Sequence, residues 1–163
     1  MKAILACEKD GGIGKDGAMP WPHDKKDLQR FKRLTLGKTI LMGSGTWESE
    51  GMPKPLPDRQ NLVVSSRPLM LPPDVILLDD TNYKTLVVDF KVDWVIGGAN
   101  LFNSLLHMFD EIHLSHLHKA YECDRHINLA QIEEKFDLLD STIHLTHTYK
   151  IYKRKEKWRN KNV

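Results

Sequence analysis

Short apolar runs alternate with helical patterns along most of this chain, and that alternation limits its fold more than any other feature. Eight runs have strand character, at residues 2–7, 39–42, 61–65, 75–78, 94–96, 111–117, 136–140 and 145–152. Helical patterns lie between the earlier ones, at 25–34, 46–50, 83–90 and 99–106. The sequence therefore predicts an α/β fold: a mixed, mostly parallel eight-stranded sheet with about four flanking helices and an antiparallel C-terminal strand pair.

A chain of 163 residues with 40% hydrophobic and 28% charged content is typical of one soluble domain with a packed core. The sequence contains no internal repeat and no low-complexity linker that would divide it. Cys7 and Cys123 do not suggest a disulfide framework, and the apolar run at the N-terminus is too short to span a membrane. We therefore expect a cytoplasmic protein that does not insert into membranes.

Positive charge is concentrated in the last eleven residues, which contain six Lys or Arg and one Glu, whereas the chain as a whole has a net charge of only +2. A basic terminus can contact nucleic acid, but a solvated, frayed end is the commoner case. We therefore expect a folded domain over residues 1–152, a flexible basic tail over 153–163, and no nucleic-acid partner.

One acidic residue lies on the apolar face of the first predicted helix. At about 100° per residue, Asp27 falls within the sector occupied by Leu34, Phe31 and Leu28, and the helix's other charged residues fall outside it. An acid in the first turn can simply favour the helix dipole, but Asp24 already serves that purpose. Asp27 is therefore predicted to be the only charge that faces the core. Because burying an unpaired carboxylate is costly, it is also predicted to be a functional acid.

Two predicted strands run directly into glycines and then into a helix, at Gly43 and at Gly97-Gly98. Glycine lets the backbone approach a phosphate closely, and the first amides of the following helix point at it. Ser65-Ser66-Arg67, at the end of another strand, is a third candidate phosphate site, although it also fits an ordinary capped turn. Two glycine junctions in one small domain favour a dinucleotide ligand.

The segment 9–23 is longer than a plain connection and contains four glycines and two prolines around Met19 and Trp21. Such a loop is either a lid that excludes water from a reaction or a mobile surface loop. His116 and His118 are two residues apart and therefore lie on one face of a predicted strand. Their spacing matches no zinc-ligand pattern, so no metal site is predicted.

Several of these segments together resemble dihydrofolate reductase. The resemblance extends from Met1 to about Tyr152 and is carried by Ala-Met-Pro-Trp at 18–21, Asp-Leu-x-x-Phe-Lys at 27–32, Met-Gly-x-x-Thr-Trp-Glu-Ser at 42–49, Pro-Leu-Pro-x-Arg at 55–59, Ser-Ser at 65–66 and Val-Ile-Gly-Gly at 95–98. It implies the dihydrofolate reductase fold and NADPH-dependent reduction of dihydrofolate, in a monomer that binds antifolate inhibitors.

The resemblance also implies roles for individual residues. Asp27 would hydrogen-bond the pterin ring and govern protonation, and Arg59 would bind the glutamate carboxylate. The implied substrate-binding residues are Ile4, Ala6, Leu28, Phe31, Arg59, Ile96 and Ser115. The implied cofactor-binding residues are Ala6, Ile13, Gly14, Met19, Gly43, Thr46, Ser65, Ser66, Arg67, Gly97, Gly98, Ala99 and Phe102.

This chain departs from the family pattern at several positions. Ser44, Gly45 and Asn100 stand where basic residues are common, which leaves Arg67 as the main candidate to bind the 2′-phosphate of NADPH. Glu50 replaces an apolar residue, and residues 52–55 are extended by about two positions. The alternatives are a reductase of the same fold acting on another heterocycle, such as the pyrimidine reductase of riboflavin synthesis, and a non-catalytic nucleotide- or RNA-binding module.

Overall fold

The computed structural model describes residues 1–159, which contain ten strands and six helices. The strands are β1 (Lys2–Cys7), β2 (Gly12–Gly14), β3 (Thr39–Gly43), β4 (Gln60–Ser65), β5 (Ile76–Asp79), β6 (Trp94–Val95), β7 (Glu111–Leu117), β8 (Arg125–His126), β9 (Phe136–Ile143) and β10 (His147–Arg154). The helices are α1 (Lys25–Thr35), α2 (Ser44–Glu48), α3 (Tyr83–Asp89), α4 (Ala99–Leu105), α5 (Leu129–Lys135) and α6 (Glu156–Arg159).

Eight strands form one sheet in the order β5-β4-β3-β6-β1-β7-β10-β9, and β2 pairs separately with β8. All pairings from β5 across to β7 are parallel, and those of β10 with β7 and β9 are antiparallel. The chain winds outward from β3 to β5 and then returns to place β6 between β3 and β1. In such sheets, ligands bind beyond the carboxyl ends of the strands at the point of reversal.

Both faces of the sheet are covered, because successive strand residues point to opposite sides. On one face, strand side chains pack with α1 and α2 in a cluster that includes Phe31, Leu34 and Trp47. On the other face, a larger cluster includes Val87 of α3, Phe102 of α4 and Ile132 of α5. The predicted mixed sheet with helices on both sides and an antiparallel C-terminal pair is therefore confirmed.

The eight predicted strands and four predicted helices all occur, with ends that match or differ by at most three residues. The short elements β2, β8, α5 and α6 were not predicted. Strand β2 is glycine-rich, and β8 is two residues long, so neither carries the apolar alternation by which a strand is recognised.

The start of the basic C-terminal segment is part of the folded body. Strand β10 continues to Arg154, whose buried guanidinium donates to the backbone carbonyls of Leu106 and Phe109. The division of the chain into a domain at 1–152 and a flexible tail at 153–163 stays a prediction, and residues 160–163 lie outside the described part.

A buried carboxylate holds the long loop after β1 in place. Glu8 is 1% exposed, and its side chain accepts hydrogen bonds from the backbone N–H groups of Gly12 at 2.7 Å, Asp10 at 2.9 Å and Tyr121 at 3.3 Å. Burial acts to raise the pKa of Glu8, but the three backbone donors together lower it below its ordinary value. One ionised side chain thus ties the loop to the segment that precedes β8.

We predict that Glu8→Ala lowers the free energy of unfolding by about 2 kcal/mol at pH 7, because three backbone donors lose a charged acceptor. Since the pKa of Glu8 is lower in the folded state, this stabilisation is complete above the unfolded-state pKa of roughly 4.3 and is lost as the pH falls below it. Urea denaturation at pH 7 and at pH 3 measures both effects.

Glu122→Ala is the matched control, because Glu122 lies in the same loop region but forms only an exposed pair with Lys15. Equal destabilisation by the two variants, or an effect of Glu8→Ala that is the same at both pH values, would contradict the anchoring role.

Candidate active site

The carboxylate of Asp27 lies in the first turn of α1. Asp24 caps this helix, since its side chain accepts the backbone N–H of Asp27 at 3.0 Å, as expected from the sequence. The Asp27 side chain is 26% exposed, and its Oδ1 accepts a hydrogen bond from the hydroxyl of Ser115 on β7. The acid predicted from the helical pattern is thus half-buried and joined to the sheet.

The prediction that Asp27 is the only charge facing the core is wrong. Arg30 turns back along α1, its side chain is 11% exposed, and its Nη1 donates to Asp27 Oδ1 at 3.0 Å. Residues three apart on a helix are neighbours, and the long arginine side chain reaches a sector that its Cα position does not indicate. The spacing of the two residues was the signal that could have identified this pair.

Two residues of β10 complete the surroundings of Asp27, and no local sequence pattern predicted them. His147 is 2% exposed, and its Nε2, which has no hydrogen-bond partner within residues 1–159, lies 4.0 Å from Asp27 Oδ1. Burial lowers the pKa of His147 although Asp27 and Asp24 act to raise it. Burial also raises the pKa of Tyr149 to about 12, so its phenol is neutral near pH 7.

The protein contacts of Asp27 converge on one of its two oxygens. Ser115, Arg30 and His147 all approach Oδ1, and none of the hydrogen bonds or ion pairs that Asp27 makes within the described residues uses Oδ2. The carboxylate can therefore accept hydrogen bonds from a ligand through Oδ2 while Oδ1 stays fixed.

An apolar surface extends from this carboxylate. Ile4 of β1, Phe31 of α1 and Ile96 after β6 belong to one cluster, as their shared predicted role in substrate binding requires. Ala6 is paired in register with Ser115. Leu28, also predicted to bind the substrate, is 46% exposed.

Arg59 lies near the other end of α1. Its Nη1 donates to the hydroxyl of Thr35 at 3.0 Å and its Nε donates to the carbonyl of Pro57 at 2.8 Å. Burial lowers the pKa of Arg59 from its ordinary value. Thr35 is eight residues beyond Asp27, which corresponds to about 12 Å along the helix. The guanidinium of Arg59 and the carboxylate of Asp27 therefore lie near opposite ends of α1.

The two glycine junctions meet where the winding of the sheet reverses. Gly43 N–H donates to the carbonyl of Gly97 at 2.9 Å. A methyl group on Gly97 would lie 3.3 Å from the hydroxyl of Thr46, and Gly97 has a φ of +126°, which only glycine adopts easily. The predicted residues Gly43, Thr46, Gly97 and Gly98 therefore lie close together, with little side-chain bulk between them.

A cleft of about 330 Å³ opens beside these junctions and is lined by Gly43, Val64, Asp80, Tyr83, Asn100, Leu101 and Ser104. Its volume lies in the range of small-molecule sites. Ala99 and Phe102 of α4 are close by in sequence, but Phe102 is fully buried in the core beside Phe109. Gly43 thus belongs both to the glycine junctions and to the lining of this cleft.

The third candidate phosphate site is a turn that is already satisfied internally. The hydroxyl of Ser65 accepts the backbone N–H of Arg67 at 3.1 Å and donates to its carbonyl at 2.9 Å. Ser66 is exposed, and the guanidinium of Arg67 forms an exposed ion pair with Glu48. Arg67 is thus at the surface with an acidic neighbour that an incoming phosphate would have to displace.

The long loop lies against the segment around β8. Asp124 accepts the backbone N–H of Asp16 at 3.0 Å, and its own N–H donates to the carbonyl of Gly14 at 2.9 Å. Ile13 packs against the larger core cluster, whereas Met19 is exposed. The loop is therefore hydrogen-bonded to Asp124 through Gly14 and Asp16, whereas the side chain of Met19 is exposed.

The histidines considered as metal ligands have other partners. His116 bonds the carbonyl of Lys9 and the ammonium of Lys150, and His118 bonds the hydroxyl of Thr148. No group of three or more His, Cys, Asp or Glu side chains in the part of the chain that the structure describes is arranged to hold a metal ion.

Comparison with known proteins identifies the family. Residues 1–155 match the family model described as dihydrofolate reductase. The chain is 36% identical over 169 residues to dihydrofolate reductase type 8 of Escherichia coli, covering 96% of each protein. It is 36% identical over 135 residues to dihydrofolate reductase of Bacillus subtilis, covering 76% of this chain and 72% of that one.

Among solved structures, the chain is similar to dihydrofolate reductase from Enterococcus faecalis in complex with NADP(H) and RAB-propyl. The TM-score is 0.78 at 27% identity, over 95% of this chain and 96% of that one. The family model, the Escherichia coli relative and the solved structure each cover nearly all of the sequence, and the structural similarity agrees with the fold described above. The chain belongs to the dihydrofolate reductase family.

Proposed function

We propose that this protein reduces 7,8-dihydrofolate to 5,6,7,8-tetrahydrofolate with NADPH and so supplies one-carbon metabolism for thymidylate and purine synthesis. The observation that carries the proposal is the half-buried Asp27, fixed through Oδ1 and open at Oδ2, beside an apolar surface that borders the glycine junctions. Family membership supports it and favours it over a pyrimidine reductase or an RNA-binding module.

The reaction adds a hydride and a proton across a carbon–nitrogen double bond of the pterin, and NADPH supplies the hydride when it is bound. Asp27 accepts hydrogen bonds from the pterin ring through Oδ2 and governs protonation of the ring nitrogen. The Ser115 hydroxyl and the Arg30 guanidinium keep Oδ1 in place. An acid on a partly buried apolar surface can hold or release a proton where water alone would be ineffective.

The remaining substrate contacts follow the length of α1. Ile4, Phe31 and Ile96 form the apolar wall for the pterin and benzoyl groups, and Leu28 becomes covered when they bind. Arg59 binds the glutamate carboxylate, because it contacts Thr35 at the end of α1 that lies about 12 Å along the helix from Asp27.

The residues at the glycine junctions would hold NADPH. Gly43, Thr46, Gly97, Gly98 and Ala99 would contact the nicotinamide and pyrophosphate through backbone and hydroxyl groups, and Phe102 would support them from the core. Ser65, Ser66 and Arg67 would bind the adenosine end, and Arg67 would exchange its ion pair with Glu48 for one with the 2′-phosphate. Ala6, Ile13, Gly14 and Met19, from β1 and the long loop, would border the nicotinamide and exclude water.

Several further properties belong to the same proposal. The protein acts as a monomer in the cytoplasm, and compounds that mimic the pterin compete at Asp27. No helix within residues 1–159 is long and apolar enough to cross a bilayer.

The proposal is tested by mixing purified protein with NADPH and 7,8-dihydrofolate and following the loss of NADPH absorbance. We expect turnover that requires both compounds and yields tetrahydrofolate. A folded preparation that oxidises no NADPH above the background rate would reject the proposed reaction.

Asp27→Asn keeps the size of the side chain but removes its acid. We expect the variant to fold and its kcat/KM near pH 7 to fall by roughly 10²- to 10⁴-fold, the usual contribution of a general acid. Asp89→Asn, which changes an exposed aspartate on α3, is the matched control and should leave the rate unchanged. Normal activity of Asp27→Asn near neutrality would show that another group governs protonation.

Arg59→Ala removes the proposed ligand of the glutamate carboxylate. We expect the KM for dihydrofolate to rise by about 10- to 100-fold, as for loss of a charge-assisted pair, with a smaller change in kcat. Steady-state kinetics measure this, with Arg33→Ala as an exposed arginine control on α1. An unchanged KM would mean that the glutamate is bound elsewhere.

A further inference from the structure

The mostly buried side chain of Arg30 forms an ion pair with Asp27, the proposed acid. Its guanidinium donates to Asp27 Oδ1 at 3.0 Å, and the pair is one turn apart on α1. Although arginine is seldom buried, this side chain is only 11% exposed. Among the described residues, Arg30 is the only Lys or Arg that lies within 4.0 Å of the Asp27 carboxylate.

Two further contacts keep the guanidinium in place. The centre of the Arg30 guanidinium lies 3.9 Å from the centroid of the Tyr149 ring, a cation–π arrangement. Its Nη2 lies 2.9 Å from His144 Nε2, which therefore accepts the hydrogen bond. A planar cation that is stacked on Tyr149 and bonded through Nη2 to His144 loses little further freedom when its Nη1 binds the carboxylate.

The other groups around Asp27 carry less fixed charge. From α1, Asp24 adds a negative charge, but its Oδ2 accepts the hydroxyl of Thr146. From β10, burial lowers the pKa of His147 and raises that of Tyr149, which favours the neutral form of each. From β7 comes only the hydroxyl of Ser115. Arg30 is thus the permanent cation that faces Asp27.

We propose that Arg30 is a positioning residue for the reduction, which fixes Asp27 by Oδ1 so that Oδ2 faces the pterin. This inference rests on the proposed function. In general, a cation in contact with a carboxylate favours the ionised form, so its removal shifts the pH dependence of a reaction that needs the protonated form to higher pH.

The test is the pH dependence of hydride transfer, measured in single turnovers between pH 5 and pH 9 with NADPH bound before dihydrofolate is added. The variants are Arg30→Met and Arg30→Gln, which remove the charge, and Arg30→Lys, which keeps it. Arg33→Met is the matched control, because it removes an exposed arginine from the same helix. Circular dichroism establishes that each variant is folded.

We expect the pH at which the rate falls to half its acid-side value to rise by roughly 0.5 to 1 unit in both neutral variants. The expected shift is small because the ion pair is partly exposed and solvent screens the interaction between the two charges. Arg30→Lys should keep the wild-type midpoint within experimental error or recover most of the shift, and Arg33→Met should not change it. A purely structural role would lower the rate at every pH without moving the midpoint.

Three outcomes would contradict the inference. The first is turnover of the neutral variants with the wild-type midpoint, and the second is a shift of the midpoint in Arg33→Met as large as theirs. The third is failure of both neutral variants to fold, which would make Arg30 a residue of stability. In each case the wild-type protein still turns over. Absence of turnover in the wild-type protein would instead reject the proposed reaction itself.

Discussion

Strand β6 is two residues long, and the two halves of the sheet are joined through it. Trp94 and Val95 pair with Lys2 and Ala3 of β1 on one side and with Ile40 and Leu41 of β3 on the other. Both are buried, and one faces each core cluster. Because all three strands are parallel, their carboxyl ends meet at the same edge of the sheet, and the glycine junctions lie there as a consequence.

The substrate side of the site depends on a different kind of constraint. The half-buried carboxylate of Asp27 is stabilised by a hydroxyl from β7 and a guanidinium from its own helix, and the histidine nearest to it is held close to neutral by burial. These contacts converge on one oxygen. The contacts at Oδ1 therefore offset the free-energy cost of burying the carboxylate, and Oδ2 is left for a ligand.

Much of this arrangement follows from sequence patterns. Strand and helix alternation predicted the sheet, the helical pattern singled out Asp27, and the strand-to-glycine junctions at Gly43 and Gly97 led to the prediction of a dinucleotide ligand. These are local signals, carried by residues close together in the chain. Glu8 was not predicted, because a single acid after an apolar strand has no pattern and its donors come from two separate loops.

The surroundings of Asp27 show the same limit. Arg30 was assigned to the solvent side from its Cα position, although its flexible side chain reaches the carboxylate, and His147 and Tyr149 are more than 100 residues away and arrive only through the pairing of β10 with β7. Periodicity locates backbone faces, whereas the charge around an acid depends on side-chain reach and on long-range strand pairing.

The proposed reaction requires that one cleft hold a pterin against Asp27 and a nicotinamide at the glycine junctions. A crystal structure with folate and NADP⁺ bound tests it most directly. We predict that the pterin ring lies within hydrogen-bond distance of Asp27 Oδ2 while Oδ1 keeps its contacts with Ser115 and Arg30, and that the nicotinamide lies against Gly97 and Gly98. A pterin bound away from Asp27, or a dinucleotide bound away from both glycine junctions, would contradict the claim.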